Sequence, residues 1–490
     1  MHAQERFWEM DFRRHVTGGR LAELFGPAQV KTDTFLRTMG WRRVAEQEWP
    51  LISAQSRQYL RAYAGGVNAW LRDHSGAAAS LEYAVLGLSN GGYRIAPWDP
   101  VNSLAWLKAM AWDLRGNIED ETARATLVNA GTVHSGVFAE LRGDGPLGGA
   151  DLAGTGLNSW VVSGVLTTTG KPILANDPHL SPTMPGIWYQ MGLHCTCELN
   201  VAGFTFSGVP GVVIGHNARI AWGFTNLDPD VTDLYLEKLD GDRYQVDGQW
   251  RPLEIRHETI TVAGSAPVQV TVRSTNNGPL VSDASVDFAK LGAGLLGTGP
   301  LGTGPPGGGG SFGDGSAVAL RWTALDPGRT MDALFALDRA GDWAGFRAAV
   351  ALFEVPAQNI TYADADGNIG YQAPGRIPVR GKGDGRWPAP GWDSAYDWKS
   401  FIPFAALPSS YNPAGGYLVT ANQAVVDSSY PYLLTNDWAY GYRSRRIQDL
   451  VEQATAGGGK LSVDAVQQMP STSCPPATAP TGRTGGGWCC

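Results

Sequence analysis

The spacing of apolar residues divides the chain into a helical first part and a strand-rich remainder. Between Leu60 and Leu71 apolar side chains recur at intervals of three and four, which predicts a helix with one buried face. Ser53 is suited to cap the start of that helix. Asp99-Pro100 supplies a cap and a first-turn proline for another helix. Residues 1–130 are therefore predicted to form a helical layer that needs a partner.

The pattern changes to short strands after residue 157. Segments rich in β-formers, separated by Asn, Asp, Gly and Pro, predict an antiparallel sheet. A helix is predicted over Asp342 to Phe353 and a hairpin from Ile360 to Tyr371, around Asp366-Gly367. Residues 291–316 are almost entirely Gly, Pro, Leu, Thr and Ser and are predicted to form a flexible insertion. The predicted strands are Trp188 to His194, Val212 to Gly215, Arg219 to Gly223, Val268 to Val272 and Val318 to Trp322.

Composition and charge exclude several classes of protein. The 490 residues are 43% apolar, which is enough for a substantial core. The formal charge of −8 is spread along the chain without a basic run, so nucleic acid is not an expected partner. No run reaches the roughly 18 apolar residues of a membrane span. The cysteines give no zinc spacing and no disulfide framework, and a bridge between Cys195 and Cys197 is not expected.

One stretch carries the strongest chemical signal. Gly154 to Ser163 (GTGLNSWVVS) joins a Gly/Thr segment to strand-forming residues, and Ile173 to Leu180 (ILANDPHL) ends in an Asp-Pro-His turn. These two stretches resemble the start of the catalytic β chain of the penicillin acylases, which are N-terminal-nucleophile amidohydrolases. Ala3 to Asp11 (AQERFWEMD) and Gly19 to Gly26 (GRLAELFG) resemble their α chain. The resemblance runs from about residue 3 to about residue 468, apart from the predicted insertion.

The resemblance implies both a fold and an activity. The implied fold is α+β, a four-layer αββα sandwich with a helical α-chain region. The implied activity is hydrolysis of a linear, non-peptide amide that joins a hydrophobic acyl group to an amine, such as a β-lactam nucleus or homoserine lactone. In the family a precursor cuts itself after a Gly, and the freed residue, normally Ser, attacks the substrate with its own α-amine as base. The alignment places the cut between Gly156 and Leu157, which would give α and β chains of one precursor.

The same alignment divides the chain into regions. Residues 131–156 are interpreted as a linker and processing segment, 157–468 as the catalytic region, and 469–490 as an unstructured tail that resembles the product of a frameshift. Family members have a first strand and usually an export signal before this point and more β chain after it, so we expect a chain truncated at both ends. They are usually periplasmic or secreted, whereas this N-terminus has no apolar signal core, which leaves the localisation open.

Leucine at the nucleophile position conflicts with the implied activity. Leu157 has no hydroxyl or thiol to activate. Ser159 shares its strand face, but a serine that bonds locally is the favoured interpretation, and Ser159 is not assigned as a nucleophile. Three hypotheses follow: an acylase, a non-catalytic relative that keeps the acyl pocket as a binding site, and a remnant that folds poorly.

Four further positions take roles from the resemblance. His179 corresponds to a histidine near the nucleophile's amine. The backbone N–H of Asn226 and the side-chain amide of Asn359 correspond to the donors that stabilise the oxyanion. Arg380 corresponds to an arginine beside that second asparagine. From the sequence alone, His179 is typical of a turn residue, and both asparagines are typical of turns or strand edges.

A metal site is implied as well. Asp230, Thr232 and Asp233 resemble the family's calcium loop, and Glu121 is a candidate fourth ligand from the α-chain region. Oxygen-only ligands of this kind suit a hard cation, so a structural Ca²⁺ is expected. A solvated acidic turn is the alternative interpretation.

Overall fold

The computed structural model describes residues 1–129, 156–180, 183–197, 199–297 and 315–469. The predicted linker up to residue 155 and the predicted tail from residue 470 lie outside these ranges. Within them, no helix has the length and apolar character needed to cross a membrane.

Helices make up most of the first 129 residues and recur in the second half. Ser53 Oγ accepts from the Ser56 N–H at 3.1 Å and Asp99 Oδ1 from the Val101 N–H at 2.7 Å, which confirms both predicted caps. The helices are α1 (His2–Gly18), α2 (Ala22–Phe25), α3 (Val30–Met39), α4 (Trp41–Glu48), α5 (Ala54–Asp73), α6 (Glu82–Ser89), α7 (Pro100–Asp113), α8 (Ile118–Asn129), α9 (Val286–Gly297), α10 (Thr330–Leu337), α11 (Trp343–Val350), α12 (Tyr442–Thr455) and α13 (Val463–Gln467).

Strands dominate from residue 156 to residue 420, as the sequence pattern predicts. They are β1 (Gly156–Val162), β2 (Ile173–His179), β3 (Trp188–His194), β4 (Asn200–Phe206), β5 (Val209–Asn217), β6 (Ile220–Asn226), β7 (Thr232–Asp240), β8 (Arg243–Val246), β9 (Gln249–Pro252), β10 (Glu254–Ile260), β11 (Val268–Thr275), β12 (Gly278–Pro279), β13 (Ser316–Trp322), β14 (Gln358–Asp364), β15 (Ile369–Gln372), β16 (Pro378–Arg380), β17 (Ala389–Pro390), β18 (Trp398–Phe401), β19 (Ser409–Tyr411) and β20 (Tyr417–Thr420).

Two antiparallel sheets stack on each other in the centre of the molecule. One has seven strands in the order β19-β15-β14-β6-β5-β4-β3, and the other has three in the order β2-β1-β20. Val161 and Leu174 of the smaller sheet pack against Ala363 and Ile369 of the larger one. Because one face of each sheet is buried against the other, helices are needed only on the two outer faces.

Helices cover both outer faces. On the larger sheet, apolar residues of α5, α7, α10 and α11, including Leu60, Trp106 and Leu334, form one core with β4, β5, β6 and β14. On the smaller sheet, Ile447 of α12 and Val466 of α13 pack against β1. The predicted four-layer αββα arrangement is therefore present.

Two local predictions differ from the structure. Helix α9 continues to Gly297 and buries Leu291, so the predicted insertion starts too early, because Leu291 still supplies the helix with an apolar contact to the core. Cys195 and Cys197 form a disulfide at the turn between β3 and β4. Their Cα atoms are 5.1 Å apart because the chain bends there and is not extended.

Candidate active site

The start of β1 forms part of the wall of a large cleft. Leu157 is buried, with 5% of its surface exposed, and lies where the helical region meets the two sheets. The cleft has a volume of about 660 Å³. It is lined by Arg13, Met110, Asp113, Leu114, Arg115, Gly116, Asn117, Glu119, Asp120, Leu157, Leu180, Thr183, Ile187, Asn226, Asp228, Asn422, Thr435, Asp437 and Ala439.

Three buried asparagines, here called the amide centre, adjoin Leu157. The Leu157 N–H donates to Asn422 Oδ1 at 3.2 Å. Asn422 Nδ2 donates to the Asn226 carbonyl at 2.8 Å, and Asn359 Nδ2 donates to the same carbonyl at 3.0 Å. The structure thus brings together three of the residues singled out from the sequence, Leu157, Asn226 and Asn359, and adds Asn422 as the link between them.

Asn226 and Asn359 are held firmly by their neighbours. Asn226 Oδ1 accepts from Gln358 Nε2 at 3.0 Å, and its Nδ2 donates to the Leu114 carbonyl at 3.1 Å, just beyond the end of α7. Asn359 Oδ1 accepts from the Tyr371 hydroxyl at 2.6 Å. Because Asn359 Nδ2 here donates to a backbone carbonyl, its role as an oxyanion donor stays a prediction.

Arg443 fixes the backbone of residue 157 from the other side. From the first turn of α12, its Nη1 donates to the Leu157 carbonyl at 3.1 Å and to Asn158 Oδ1 at 2.9 Å, while Nη2 donates to Asn422 Oδ1 at 2.8 Å. Sequence reasoning missed both Asn422 and Arg443. They follow Leu157 by more than 260 residues, and no local motif in the sequence marks them.

Backbone strain is concentrated at this cleft. Asn117, Asp228 and Asn422 all line it and adopt positive φ angles of 56°, 53° and 67°. Asn and Asp tolerate this left-handed region better than other residues with a side chain, but it still costs free energy. Such residues cluster at functional sites, where the surrounding structure holds them in place. This observation indicates a functional cleft independently of any resemblance.

An apolar pocket adjoins the cleft at the same point. Met110, Leu114, Leu157 and Leu180 line both spaces, so the pocket, whose volume is about 50 Å³, shares a wall with the cleft. The pocket is otherwise lined almost entirely by apolar side chains: Leu107, Trp188, Phe206, Val213, Ile214, Phe224, Leu334, Phe353, Val355 and Pro356, with Thr330 and Gln358. A site with an apolar recess beside a few fixed polar groups suits a ligand with an apolar tail and an amide.

His179 lies at the end of β2, opposite Gly156, while Leu157 is opposite Pro178. Since side chains alternate along a strand, His179 and Leu157 start on opposite faces of the sheet. The His179 ring turns back to the Asp177 carbonyl, 3.0 Å away, and it is not among the cleft-lining residues of the described chain. This hydrogen bond to a nearby backbone carbonyl is typical of a turn residue. A role of His179 beside the α-amine of residue 157 stays a prediction.

Arg380 contacts acidic residues, and none of its described hydrogen bonds goes to Asn359. Its Nε donates to Asp233 Oδ2 at 2.8 Å, and Nη2 donates to Asp230 Oδ1 at 2.7 Å and Asp233 Oδ1 at 2.9 Å. Glu121 is fully buried nearby and accepts from the Leu234 N–H at 3.3 Å. These four residues, here called the carboxylate cluster, include three of the four predicted calcium ligands.

The carboxylate cluster has three carboxyl groups against one guanidinium. Burial, followed by repulsion from Asp233 and Asp230, raises the pKa of Glu121 well above its ordinary value. Burial lowers the pKa of Arg380, but Asp233 and Asp230 outweigh this effect and raise it overall. When all three carboxyl groups are ionised, their surplus of negative charge would suit a cation.

The geometry of the carboxylate cluster does not suit a bound metal ion. Among the residues that the structure describes, no three His, Cys, Asp or Glu side chains are placed to hold a metal ion. Arg380 bridges two of the expected ligands, and the Thr232 hydroxyl donates to Asn117 Oδ1 at 3.1 Å. As arranged, these residues fit a guanidinium group and do not fit Ca²⁺, and calcium binding stays a prediction.

Two stacked antiparallel sheets between helical layers, with a strand that begins in a cleft beside buried amides, match the fold that the resemblance implies. The sequence model of the family "Penicillin amidase" matches residues 1–477. The chain therefore belongs to the penicillin amidase family, which confirms the resemblance drawn from the sequence.

Curated relatives carry acylase names. The chain is 31% identical to the acyl-homoserine lactone acylase QuiP of Pseudomonas aeruginosa, over 92% of this chain and 55% of that protein. It is 29% identical to the penicillin acylase 2 proenzyme of Pseudomonas sp. SE83, over 92% of this chain and 58% of that protein. The chain thus spans somewhat more than half the length of these relatives.

A solved structure supports the fold. The thermostable penicillin G acylase from Alcaligenes faecalis is 27% identical and superposes with a TM-score of 0.51, over 64% of this chain and 52% of that one. The mixed α+β fold class expected from the sequence is confirmed by this similarity and by the stacked sheets.

Proposed function

We propose that the protein carries the site of an acylase-type amidohydrolase for small amides between a hydrophobic acyl group and an amine, and that leucine at position 157 leaves this site without its nucleophile. The observation that carries this proposal is the position of Leu157, at the junction of the apolar pocket, the cleft and the amide centre. The acyl chain occupies the pocket, the amide carbonyl lies beside residue 157, and the amine extends into the cleft. The acylase names of the relatives support the same reaction.

The reaction needs a free chain end at residue 157, made by cleavage after Gly156. The resulting β chain would stay associated with the α chain, because α7 and the amide centre already pack together across the cleft. Neutral amide N–H groups suit the stabilisation of a developing oxyanion because they do not titrate. With Leu157 in place the α-amine can form, but no side-chain atom can attack the substrate.

A second candidate is a protein that binds such amides without cleaving them. Leu157 itself favours this candidate, since its side chain lines the pocket as an apolar wall. In this form the site would bind an acylated amine and release it unchanged.

Leu157→Ser tests the first candidate, with Leu157→Ala as the matched control that removes the same bulk without adding a hydroxyl. Denaturing electrophoresis reports cleavage after residue 156, and release of the amine from N-octanoyl-homoserine lactone and from penicillin G reports hydrolysis. We expect two chains and amine release for Leu157→Ser only. Binding of the lactone to the original protein, with neither cleavage nor amine release by Leu157→Ser, would support the binding protein. Cleavage and hydrolysis by the original protein would overturn the assignment of residue 157 as the nucleophile position.

A further inference from the structure

The helical region contains a second cavity, between α5 and α6. Its volume is about 590 Å³, within the range of about 300–1,000 Å³ that is typical of small-molecule sites. It shares no lining residue with the cleft or with the apolar pocket. Residues 90–97 contribute its third side. Here called the helical pocket, it is lined on its two helical sides by Asn68, Leu71 and Arg72 of α5 and by Tyr83, Leu86 and Gly87 of α6.

The third side of the helical pocket is held at both ends. At its start, Asn90 Nδ2 donates to the Glu23 carbonyl at 2.7 Å. Just after its end, Asn68 bonds the Trp98 backbone twice, with Nδ2 donating to the carbonyl at 3.0 Å and Oδ1 accepting from the N–H at 2.6 Å. Because these contacts fix the segment before a ligand arrives, little conformational freedom would be lost on binding.

One wall of the helical pocket is aromatic. The rings of Tyr83 and Tyr93 are parallel, with their centres 6.1 Å apart. The Tyr93 hydroxyl donates to Asp11 Oδ2 at 2.7 Å, and the Tyr83 hydroxyl donates to the same oxygen. Asp11 is buried, forms an ion pair with Arg14 at 2.6 Å and does not line the pocket. Both rings are therefore anchored, and the carboxylate that anchors them is already paired.

Another wall is basic. Arg72 and Arg94 line the helical pocket, and none of the described residues that line it is Asp or Glu. Arg94 Nη1 donates to the carbonyls of Gly91 at 3.0 Å and Tyr93 at 2.8 Å, which are neutral backbone groups. Arg72 is exposed and forms no hydrogen bond or ion pair within the part of the chain that the structure describes. Neither guanidinium is neutralised by a carboxylate of the described residues.

The acidic residues around this wall lie outside the pocket. Asp73 and Glu82 are the nearest along the chain, and both are exposed. Glu82 accepts from the Ser80 hydroxyl. Glu23, whose carbonyl bonds Asn90, has its carboxylate paired with Arg20 at 2.6 Å. An anion in the pocket would thus contact guanidinium groups and no carboxylate among the described lining residues.

We propose that the helical pocket is a binding site for a small aromatic carboxylate. The ring of the ligand packs against Tyr83 and Tyr93, since aromatic pairs stabilise each other in offset and edge-to-face arrangements. Its carboxylate meets Arg72 and Arg94, because a guanidinium can donate two parallel hydrogen bonds to a carboxylate. The site is separate from the amide-cleaving one, so this inference does not depend on the proposed function.

Two glycines provide a matched pair of variants. A Cβ atom at Gly87 of α6 or at Gly66 of α5 would meet no atom within 4 Å outside the backbone of its own helix. A side chain can therefore be added at either position, and replacing a helical glycine also favours the helix. Gly87 lines the helical pocket and Gly66 does not. Gly87→Leu should fill the pocket, while Gly66→Leu should leave it open.

Three probes share a phenylpropyl group and differ in charge: 4-phenylbutyrate, 4-phenylbutyramide and 4-phenylbutylamine. Isothermal titration calorimetry gives the affinity and stoichiometry of each. We expect one 4-phenylbutyrate to bind per chain, the amide to bind about fivefold more weakly and the amine more weakly still, because the basic wall favours an anion. Gly87→Leu should weaken 4-phenylbutyrate binding by about tenfold or more, since the ring loses its space. Gly66→Leu should leave the affinity unchanged.

Two arginine variants test the charged contacts. Arg72→Gln and Arg94→Gln should each shrink the ratio between carboxylate and amide affinities by about twofold to fivefold, as expected for partly exposed ion pairs. Arg61→Gln is the control, because Arg61 is also an exposed arginine of α5 but does not line the helical pocket. An excess of N-octanoyl-homoserine lactone, added as a competitor for the cleft, should not displace 4-phenylbutyrate.

The outcomes separate this site from the cleft. Absence of saturable 4-phenylbutyrate binding, or binding that Gly87→Leu leaves unchanged, would overturn the site. Displacement by the lactone would assign the carboxylate to the cleft and would also overturn it. Equal affinities for carboxylate and amide, both lost in Gly87→Leu, would overturn the choice of a carboxylate as ligand.

Discussion

The short segment from Asn226 to Asp233 joins the amide centre to the carboxylate cluster. The first consists of neutral amides and the second of titratable groups. In the amide centre, neutral side chains are buried and hydrogen-bonded to one another and to backbone groups. In the cluster, three buried carboxylates surround one guanidinium. Non-titrating groups adjoin the position where an oxyanion would form, while titratable groups brace the strand behind it. In this site, neutral amides therefore hold residue 157 in place, and the titratable side chains lie further along the chain.

Removing the cluster's cation should have the largest effect. Arg380→Met leaves buried carboxylates without a partner, so we expect the free energy of unfolding to fall by about 3–5 kcal/mol. Millimolar Ca²⁺ should restore part of this loss by supplying positive charge to the oxygen ligands. Chemical denaturation with and without EDTA measures both effects.

Arg321→Met is the matched control, because Arg321 also lies over the ring of Trp398 but pairs with the partly exposed Asp326. Its loss should stay below about 1 kcal/mol. If Ca²⁺ stabilises the original protein as much as Arg380→Met, the ion binds beside Arg380 and the calcium site expected from the sequence is supported.

Removing the central amide should have the next largest effect. Asn422→Ala loses the bonds to the Leu157 N–H and the Asn226 carbonyl and places alanine at a φ of 67°. We expect a loss of about 2–3 kcal/mol in unfolding free energy. Asn412→Ala is the control, since Asn412 also has a positive φ and two side-chain hydrogen bonds, to the Ile369 N–H and to Asn368, but is exposed in the loop between β19 and β20. Equal losses in both variants would show that burial of the Asn422 amide does not account for the effect.

The comparison also predicts where pH dependence arises. The pKa of Glu121 is raised above its ordinary 4.5 in the folded protein, so the folded state binds this proton more tightly than the unfolded state. Its contribution to stability is complete below about pH 4.5 and is lost as the pH rises through the folded pKa. Glu121→Gln keeps an acceptor for the Leu234 N–H but cannot titrate.

Between about pH 5 and about pH 8, in EDTA, the original protein should therefore lose more unfolding free energy than Glu121→Gln. The exposed Glu46→Gln should follow the original protein. Parallel pH profiles for the original protein and Glu121→Gln would contradict the raised pKa of Glu121.

The smallest expected effect is at Arg443. Arg443→Lys keeps the charge but loses the two-nitrogen contact with the Leu157 carbonyl and Asn422, which should cost about 1 kcal/mol. Arg445→Lys serves as the control. Arg445 lies two residues further along the same helix and forms an ion pair with Asp449. Hydrogen exchange at the Leu157 amide gives a local measure, and unchanged exchange in Arg443→Lys would show that this arginine does not hold the strand end.

Local features of the fold could be predicted from the sequence because they depend on near neighbours. The caps at Ser53 and Asp99, and the hairpin around Asp366-Gly367, follow from short-range hydrogen bonds and turn chemistry. The boundary of α9 could not be placed, since glycine content outweighed the leucines in the sequence pattern. The four layers came from the resemblance, because periodicity does not state which sheet faces which.

The residues of the candidate site that lie on the family motif could be predicted from the sequence. The residues that only tertiary contacts bring to the site could not. The side chain of Asn359 reaches the backbone carbonyl of Asn226 because β6 and β14 are paired. Asn422 and Arg443 are brought to Leu157 only by the pairing of β1 with β20 and by the packing of α12, over sequence distances that carry no local signal. The resemblance assigns Arg380 to a position beside Asn359, and only the coordinates show its carboxylate partners.

The position of β1 as the middle strand of its sheet has a consequence for the integrity of the molecule. Gly156 to Val162 pair with β2 on one side, and Ser159 to Val162 pair with β20 on the other. A break in the backbone before Leu157 would therefore create a terminus that two neighbouring strands keep in register. Severing the polypeptide at this point would expose an amine without loosening the architecture that surrounds it.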